Sequence, residues 1–340
     1  MRPLSEPRHQ TTGNGSDHPL PLVSVIVRSL DRDTHIQALD SLAAQTHPSL
    51  EIVLVNARGP GHRPLPDMWG ERPVRFVDST QSVPRAAAAN RGLDAAQGDW
   101  LLFLDDDDYL APDHLAGLLE AVGQSGLQAA YSHCQAVDGA GRALPQRFAE
   151  PFGQAKLLAG NFLPIHSVLF ARTLLSVGCR VDESFDRFED WDFWLQVAQH
   201  TDFIEVPRLT AFYRIDAGAG FGVTAPAEDI HVHARRLAAK WRECVSPQGF
   251  LDLMELARQH RYLERLQREL AAQGLMTGAA EDAARRIADA YRDLRAAVET
   301  QRRARLDCQA RLDAVLNSTA WRLTAPLRHL LIRLRIGRRG

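Results

Sequence analysis

Four consecutive carboxylates, Asp105-Asp106-Asp107-Asp108, follow directly on the apolar run Leu101-Leu102-Phe103-Leu104. Neighbouring negative charges repel, so a folded chain keeps such a run where water solvates it or where a hard cation such as Mg2+ or Mn2+ neutralises it. The apolar run reads as a strand buried on both faces. Open α/β sheets bind their ligands at the carboxyl end of such strands, where a divalent ion shares its coordination sphere with substrate phosphates. The plainer reading is an acidic first turn ahead of a helix, since Pro112 and Asp113 follow closely. A second acidic pair, Glu189-Asp190, stands between Phe185-Asp186-Arg187-Phe188 and the aromatic, amphipathic stretch Trp191-Asp192-Phe193-Trp194-Leu195. Acids at such a helix start can simply cap it.

The elements that must position these groups are legible upstream. Leu22–Val27 is a β-branched run, and Ile36, Leu39, Leu42 and Ala43 recur at helical spacing until His47-Pro48 stops the helix. Leu50–Val55 is a second buried-type strand, Val74–Val77 a short third, Ala86–Ala96 a helix and Trp100–Leu104 the fourth strand. Strand, helix, strand at this length predicts βαβ units, a parallel sheet and right-handed crossovers.

Beyond about residue 228 the pattern turns helical. Ile287, Tyr291, Leu294 and Val298 follow a coiled-coil spacing within Ala280–Leu316, but Gln301 and Arg305 interrupt the seam before Cys308, Leu312 and Val315 resume it. That predicts a self-packing hairpin or a weak homo-oligomer through these helices. Trp321–Arg335 holds many arginines and no acid, the pattern of an interfacial helix on an anionic membrane. Residues 1–20 lack apolar period and read as a disordered tail. The expected division is therefore a tail (1–20), an α/β domain (21–227), a helical extension that is partly coiled coil (228–317) and a basic amphipathic helix (318–340).

With 340 residues and a formal charge of -2, the chain has a sizeable core and no overall nucleic-acid footprint. Cys134, Cys179, Cys244 and Cys308 form no CxxC pair, which argues against a zinc knuckle or a disulfide framework. No run of eighteen apolar residues occurs, and the first twenty residues lack a signal core. The expected location is cytoplasmic, peripheral on the inner face of the cytoplasmic membrane.

Taken in order, Ala38-Leu39-Asp40-Ser41-Leu42, Gln45-Thr46, Glu51-Ile52-Val53, Asn90-x-Gly92-Leu93, Gly98-Asp99 and Phe103-Leu104-Asp105-x-Asp107-Asp108 resemble glycosyltransferase family 2. His166-Ser167-x-Leu169-Phe170, Glu189-Asp190-Trp191-Asp192-Phe193-Trp194 and Tyr213-Arg214 extend the resemblance to roughly residues 22–216. It implies a GT-A fold, a Rossmann-like mixed sheet with flanking helices, here followed by the helical extension. It also implies a metal-dependent, hexosyltransferase-like enzyme. A sugar would pass, with inversion, from a nucleotide diphosphate sugar donor to a hydroxyl of a glycan or lipid-linked acceptor. Carried over onto this chain, Asp105 and Asp107 are the DxD acids that face ribose and metal, Asp108 supports them, and Asp106 is a solvated bystander. Asp190 becomes the base, its carboxyl raised by desolvation among Trp and Phe side chains, with Glu189 beside it. Trp191 and His166 lie on the substrate side. Asp216 replaces a late histidine ligand. The ending from Ser318 to Arg328 resembles bacterial enzymes that build surface polysaccharides.

The departures concern the donor pocket. The loop after the first strand reads Arg28-Ser29-Leu30-Asp31, and the second strand ends in Asn56-Ala57-Arg58-Gly59 where the family has acids. Arg28, Asn56, Arg58 and Asn90 are therefore the donor-side candidates, with Arg85 and Arg91 as further cations for a diphosphate. Two competing readings remain. One is a non-catalytic nucleotide-sugar or glycan-binding protein, which would have no use for a base. The other is a nucleotidyltransferase, which would carry glycines in the loop that here runs from Arg28 to Asp33.

Overall fold

The computed structural model describes residues 20–215, 227–245, 248–256, 258–259 and 262. The chain divides into two compact units, residues 1–256 and 257–340, and the elements below belong to the first. Asp216, the coiled-coil stretch, Cys308 and the basic tail lie outside the described residues, as does most of the N-terminal tail.

Strand β1 (Val23–Ser29) is buried along its whole length because it pairs on both flanks, with β2 (Leu50–Asn56) and β5 (Trp100–Asp105), both parallel. Helix α1 (His35–Ala43) makes the first crossover, β3 (Met68–Trp69) and β4 (Arg72–Val77) extend the sheet beyond β2, and α2 (Arg85–Ala95) leads back to β5. The chain then runs through β6 (Tyr109–Leu110), α3 (His114–Ser125), β7 (Ala129–Val137), β8 (Ala143–Phe148) and α4 (Gln154–Ala159). It continues through β9 (Val168–Ala171), α5 (Thr173–Ser176), α6 (Glu189–Val197), β10 (Phe203–Arg214) and α7 (Ala227–Trp241). Among the described residues the strands join in the order β3-β4-β2-β1-β5-β9-β7-β10-β6, with β8 on β7. β9 is antiparallel to both of its neighbours, so the parallel half-sheet predicted from the sequence becomes one side of a mixed sheet.

Alternation along β1 sorts the core into two layers, as a period of two requires. Val25 and Val27 face α1 and α3 with Leu39, Leu42, Leu115 and Leu118. Ile26 faces the opposite way, into a cluster with Leu93 of α2, Phe103, and Phe193 and Trp194 of α6. Gly92 permits the close approach of α2, because a Cβ there would stand 2.1 Å from Ile26 Cγ2. Helix α7 belongs to the same layer through Leu237 and Trp241.

Cys134, Cys179 and Cys244 are unbridged. Among the described residues no helix is long and apolar enough to cross a membrane.

Candidate active site

The carboxyl edge of the β1/β5 pair gathers the charged groups. Asp105 ends β5 opposite Arg28 of β1, and the planar guanidinium grips it bidentately, Nε to Oδ1 at 2.7 Å and Nη2 to Oδ2 at 2.9 Å. Arg85, the first residue of α2, adds Nη2 to Oδ2 at 2.6 Å. Both arginines also meet Glu189 Oε1, at 3.2 Å from Arg28 and 3.5 Å from Arg85. Burial alone would raise the Asp105 carboxyl, but the two guanidiniums hold it well below the usual carboxylate range. A closed ring of two cations and two anions thus ties β1, β5, α2 and α6 together.

The remaining acids of the run part company. Asp106 is fully buried, accepting from Leu30 N–H at 2.7 Å and Ser29 Oγ at 3.1 Å and pairing with Arg32. The expectation of a solvated bystander is therefore corrected. The loop after β1 folds over this carboxylate because the loop's backbone donors need an acceptor. Asp107 stays half-buried with Arg32 at 3.4 Å, and burial together with Asp108 and Asp105 pushes its carboxyl up to about 7. Asp108 is buried, accepting from Arg214 N–H at 2.8 Å while its Oδ2 lies 3.1 Å from His166 Nδ1. Burial would lower His166, yet Asp108 and then Cys134 keep it well above the ordinary histidine value.

One oxygen each from Asp105, Asp107 and Asp108 lie within 4.8 Å of one another. An all-oxygen set of this size fits a hard divalent cation. Asp107 offers the freest carboxylate, since both Asp105 oxygens already accept from arginine.

At the start of α6 three acids point three ways. Glu189 faces the arginines, while Asp192 is fully buried against Trp241 Nε1 (2.8 Å), Gln196 Nε2 (2.8 Å) and Lys240 Nζ (2.9 Å), which fastens α7. Asp190 Oδ2 accepts from Asn161 Nδ2 at 2.9 Å and Oδ1 from Trp191 N–H at 2.8 Å. Burial, reinforced by the Glu189 charge, pushes the Asp190 carboxyl up to about 6. That is a suitable value for a general base near neutral pH. Phe188, just before the helix, takes a left-handed φ of 63° that a non-glycine residue seldom adopts. Its ring meets Trp191 edge-on at 5.3 Å, and Trp191 Nε1 donates to Leu157 O at 2.5 Å.

Residues 24–168 match the sequence model of Glycosyl transferase family 2. Over that stretch the chain is similar to the family 2 glycosyltransferases. The uncharacterized glycosyltransferase YwdF of Bacillus subtilis (strain 168) is 24% identical over 214 residues, 58% of this chain and 75% of YwdF. The succinoglycan biosynthesis protein ExoO of Rhizobium meliloti (strain 1021) is 30% identical over 192 residues, 51% of this chain and 54% of ExoO. The chain thus spans about half of one relative and three quarters of the other. A crystal structure of S. aureus TarS in complex with UDP-GlcNAc superposes with a TM-score of 0.50 at 16% identity, over 64% of this chain and 66% of that one. That likeness concerns the fold, the GT-A arrangement of mixed sheet and flanking helices.

The other donor-side candidates, Asn56, Arg58 and Asn90, bond to groups outside the Asp105–Asp108 run. Asn56 closes its own loop, donating to Gly59 O and Asp78 Oδ1 and accepting from Gly59 N–H. Gly59 has a φ of 90° there. Arg58 pairs with Asp31 at 2.9 Å, as does Arg63 at 2.6 Å. Asn90 binds the 181–183 loop through Val181 O and Glu183 Oε1. His166 is fully buried and reaches the site only through Asp108. Arg32, Asn161 and the pairing of Arg85 with Asp105 escaped the sequence reading. For Arg85 a signal was present, because a residue at the start of a helix after Pro84 faces the carboxyl edge of a parallel sheet.

Proposed function

We propose that this glycosyltransferase moves a sugar from a nucleotide diphosphate sugar, with inversion, to a hydroxyl of a glycan or lipid-linked acceptor in cell-surface polysaccharide synthesis. The observation that carries the reading is the pairing of the Asp105-Asp107-Asp108 cluster with a raised Asp190 carboxyl, joined through the Arg28/Arg85/Glu189 ring. ExoO, a succinoglycan biosynthesis protein, and TarS, crystallised with UDP-GlcNAc, support the substrate class.

In this mechanism Asp190 takes the acceptor hydroxyl proton while that oxygen attacks the anomeric carbon. The bond to the diphosphate breaks, and its electron pair leaves with the diphosphate. Arg85, exposed on one side, and Arg28 present positive charge to the departing group. Glu189 holds both arginines in place. Mg2+ or Mn2+ on Asp107, Asp105 and Asp108, with Asp216 as a further ligand, would neutralise charge on the diphosphate. Asn56 and Arg58 shape the side of the site that receives the base, Asn90 and His166 support from behind, and Trp191 flanks the acceptor.

Binding of a panel of UDP-, dTDP- and GDP-sugars, with and without chelator, tests the donor assignment. At least one donor should bind more tightly with Mg2+ or Mn2+, and Asp107→Ala should abolish that increment. Equal affinity with and without chelator would overturn the metal's role.

The membrane location rests on the arginine-rich tail, at about 1 kcal/mol per basic residue near an anionic surface. The full chain should float with anionic liposomes and a chain lacking residues 318–340 should not. Unchanged flotation after the deletion, or none by the full chain, would reject the peripheral location.

A further inference from the structure

Asp190 owes its orientation to a turn that lies outside its own helix. Asn161 Oδ1 accepts from Leu163 N–H at 3.1 Å, which locks the amide plane and leaves Nδ2 to donate to Asp190 Oδ2 at 2.9 Å. Leu163 is fully buried, and its carbonyl accepts from Trp194 Nε1 of the same helix α6 at 3.1 Å. One turn earlier, Leu157 O receives Trp191 Nε1. Three hydrogen bonds therefore join α4 and its following turn to the α6 segment that bears Asp190. The one bond among them that reaches a titratable group comes from Asn161. Its amide carries no charge, so it can fix the direction of a carboxylate without competing for the proton.

We propose that Asn161 is the positioning residue for Asp190, holding one carboxylate oxygen so that the remaining lone pairs face the acceptor hydroxyl. The inference rests on the reading of Asp190 as the base. The charged and titratable groups around that carboxyl are Glu189 beside it on α6, Arg85 of α2, Arg28 of β1 and Tyr213 of β10. Glu189 disfavours the carboxylate and the arginines favour it. Donation from Asn161 favours it as well, so loss of that donor moves the titration of Asp190 upward.

The test measures hydrolysis of whichever panel nucleotide sugar binds, with water as acceptor, across a pH series in the full chain. Asn161→Ala should lower kcat by up to about a hundredfold, the scale of an ångström of misplacement, with an unchanged donor dissociation constant. The acid limb of the rate profile should move to higher pH. Asn161→Ser retains an acceptor for Leu163 N–H in a Ser-type turn but is too short to reach Asp190. It should show the same shifted limb with a normal melting temperature, which separates positioning from folding. In an Asp190→Asn background, Asn161→Ala should cost little further activity, because the two residues act as a unit. A wild-type kcat and limb in Asn161→Ser, while Asp190→Asn is inactive, overturns the role of Asn161 alone. An active Asp190→Asn overturns the base assignment itself.

Discussion

Asp190→Asn is expected to reduce turnover by about a hundred- to ten-thousand-fold while leaving nucleotide-sugar affinity close to that of the parent. The amide preserves size and keeps an oxygen for the Trp191 N–H, so helix α6 should start where it does now. It cannot accept a proton at neutral pH. In the proposed mechanism donor affinity depends on a different group of residues, Asp105, Asp107 and the two arginines, to which Asp190 contributes no hydrogen bond. The parent should also lose activity as pH falls through about 6, where burial and Glu189 bring Asp190 to half-protonation, because the protonated acid is no base. That limb should vanish from whatever activity the variant retains. Near-parental turnover would reduce Asp190 to a helix cap. Asp192 is then no substitute, since it is fully buried beneath Trp241 and Lys240. The search would turn to Glu189. The same variant separates an enzyme from a binding protein, for which the substitution would change nothing.

The contrast between Asp105 and Asp106 marks how far the sequence reaches. The apolar run before them and the chain of strand and helix patterns suffice to put both at a sheet's carboxyl edge, because burial on both faces and crossover geometry are encoded in residue periodicity. Which carboxylate turns inward is decided by the loop after β1, whose donors at Leu30 and Ser29 settle on Asp106 through contacts 76 and 77 residues distant in sequence. No local pattern carries that information. The same holds for Asn161, 29 residues from the carboxylate it binds, and for Asp192, which reads as one more acid at a helix start until Trp241 arrives from α7. The Glu189-Asp190 pair was found by its motif. Its division of labour, one acid for the arginines and the other for Asn161, follows from the direction in which α6 leaves the unusual backbone of Phe188.

Arg28→Ala is expected to be among the most destabilising single substitutions in the domain. The guanidinium is 4% exposed and satisfies two carboxylates at once, Asp105 by two hydrogen bonds and Glu189 by one. Removing one member of a buried ion pair leaves charge uncompensated and costs about 3–5 kcal/mol. Arg85 remains, but its side chain is 47% exposed and bonds Asp105 through a single nitrogen, so it offsets only part of the loss. For a domain of this size the cost corresponds to a fall in Tm of about 6–20 °C. Lysine would rescue little, because its ammonium cannot reproduce the planar fork that spans both Asp105 oxygens. The pH dependence has a definite sign. The Asp105 carboxyl lies below its ordinary 3.8 in the folded protein, so the pair's stabilisation is fully present above that value and fades as pH falls below it. The gap between parent and Arg28→Ala should therefore be widest near neutrality and narrow under acid conditions, as followed by thermal melts from pH 7 downward. A gap of less than about 2 °C at pH 7, against the range expected for an unpaired buried charge, would mean that Arg85 alone neutralises Asp105. The four-charge ring would then be an arrangement of the donor site with no part in holding β1, β5 and α6 together.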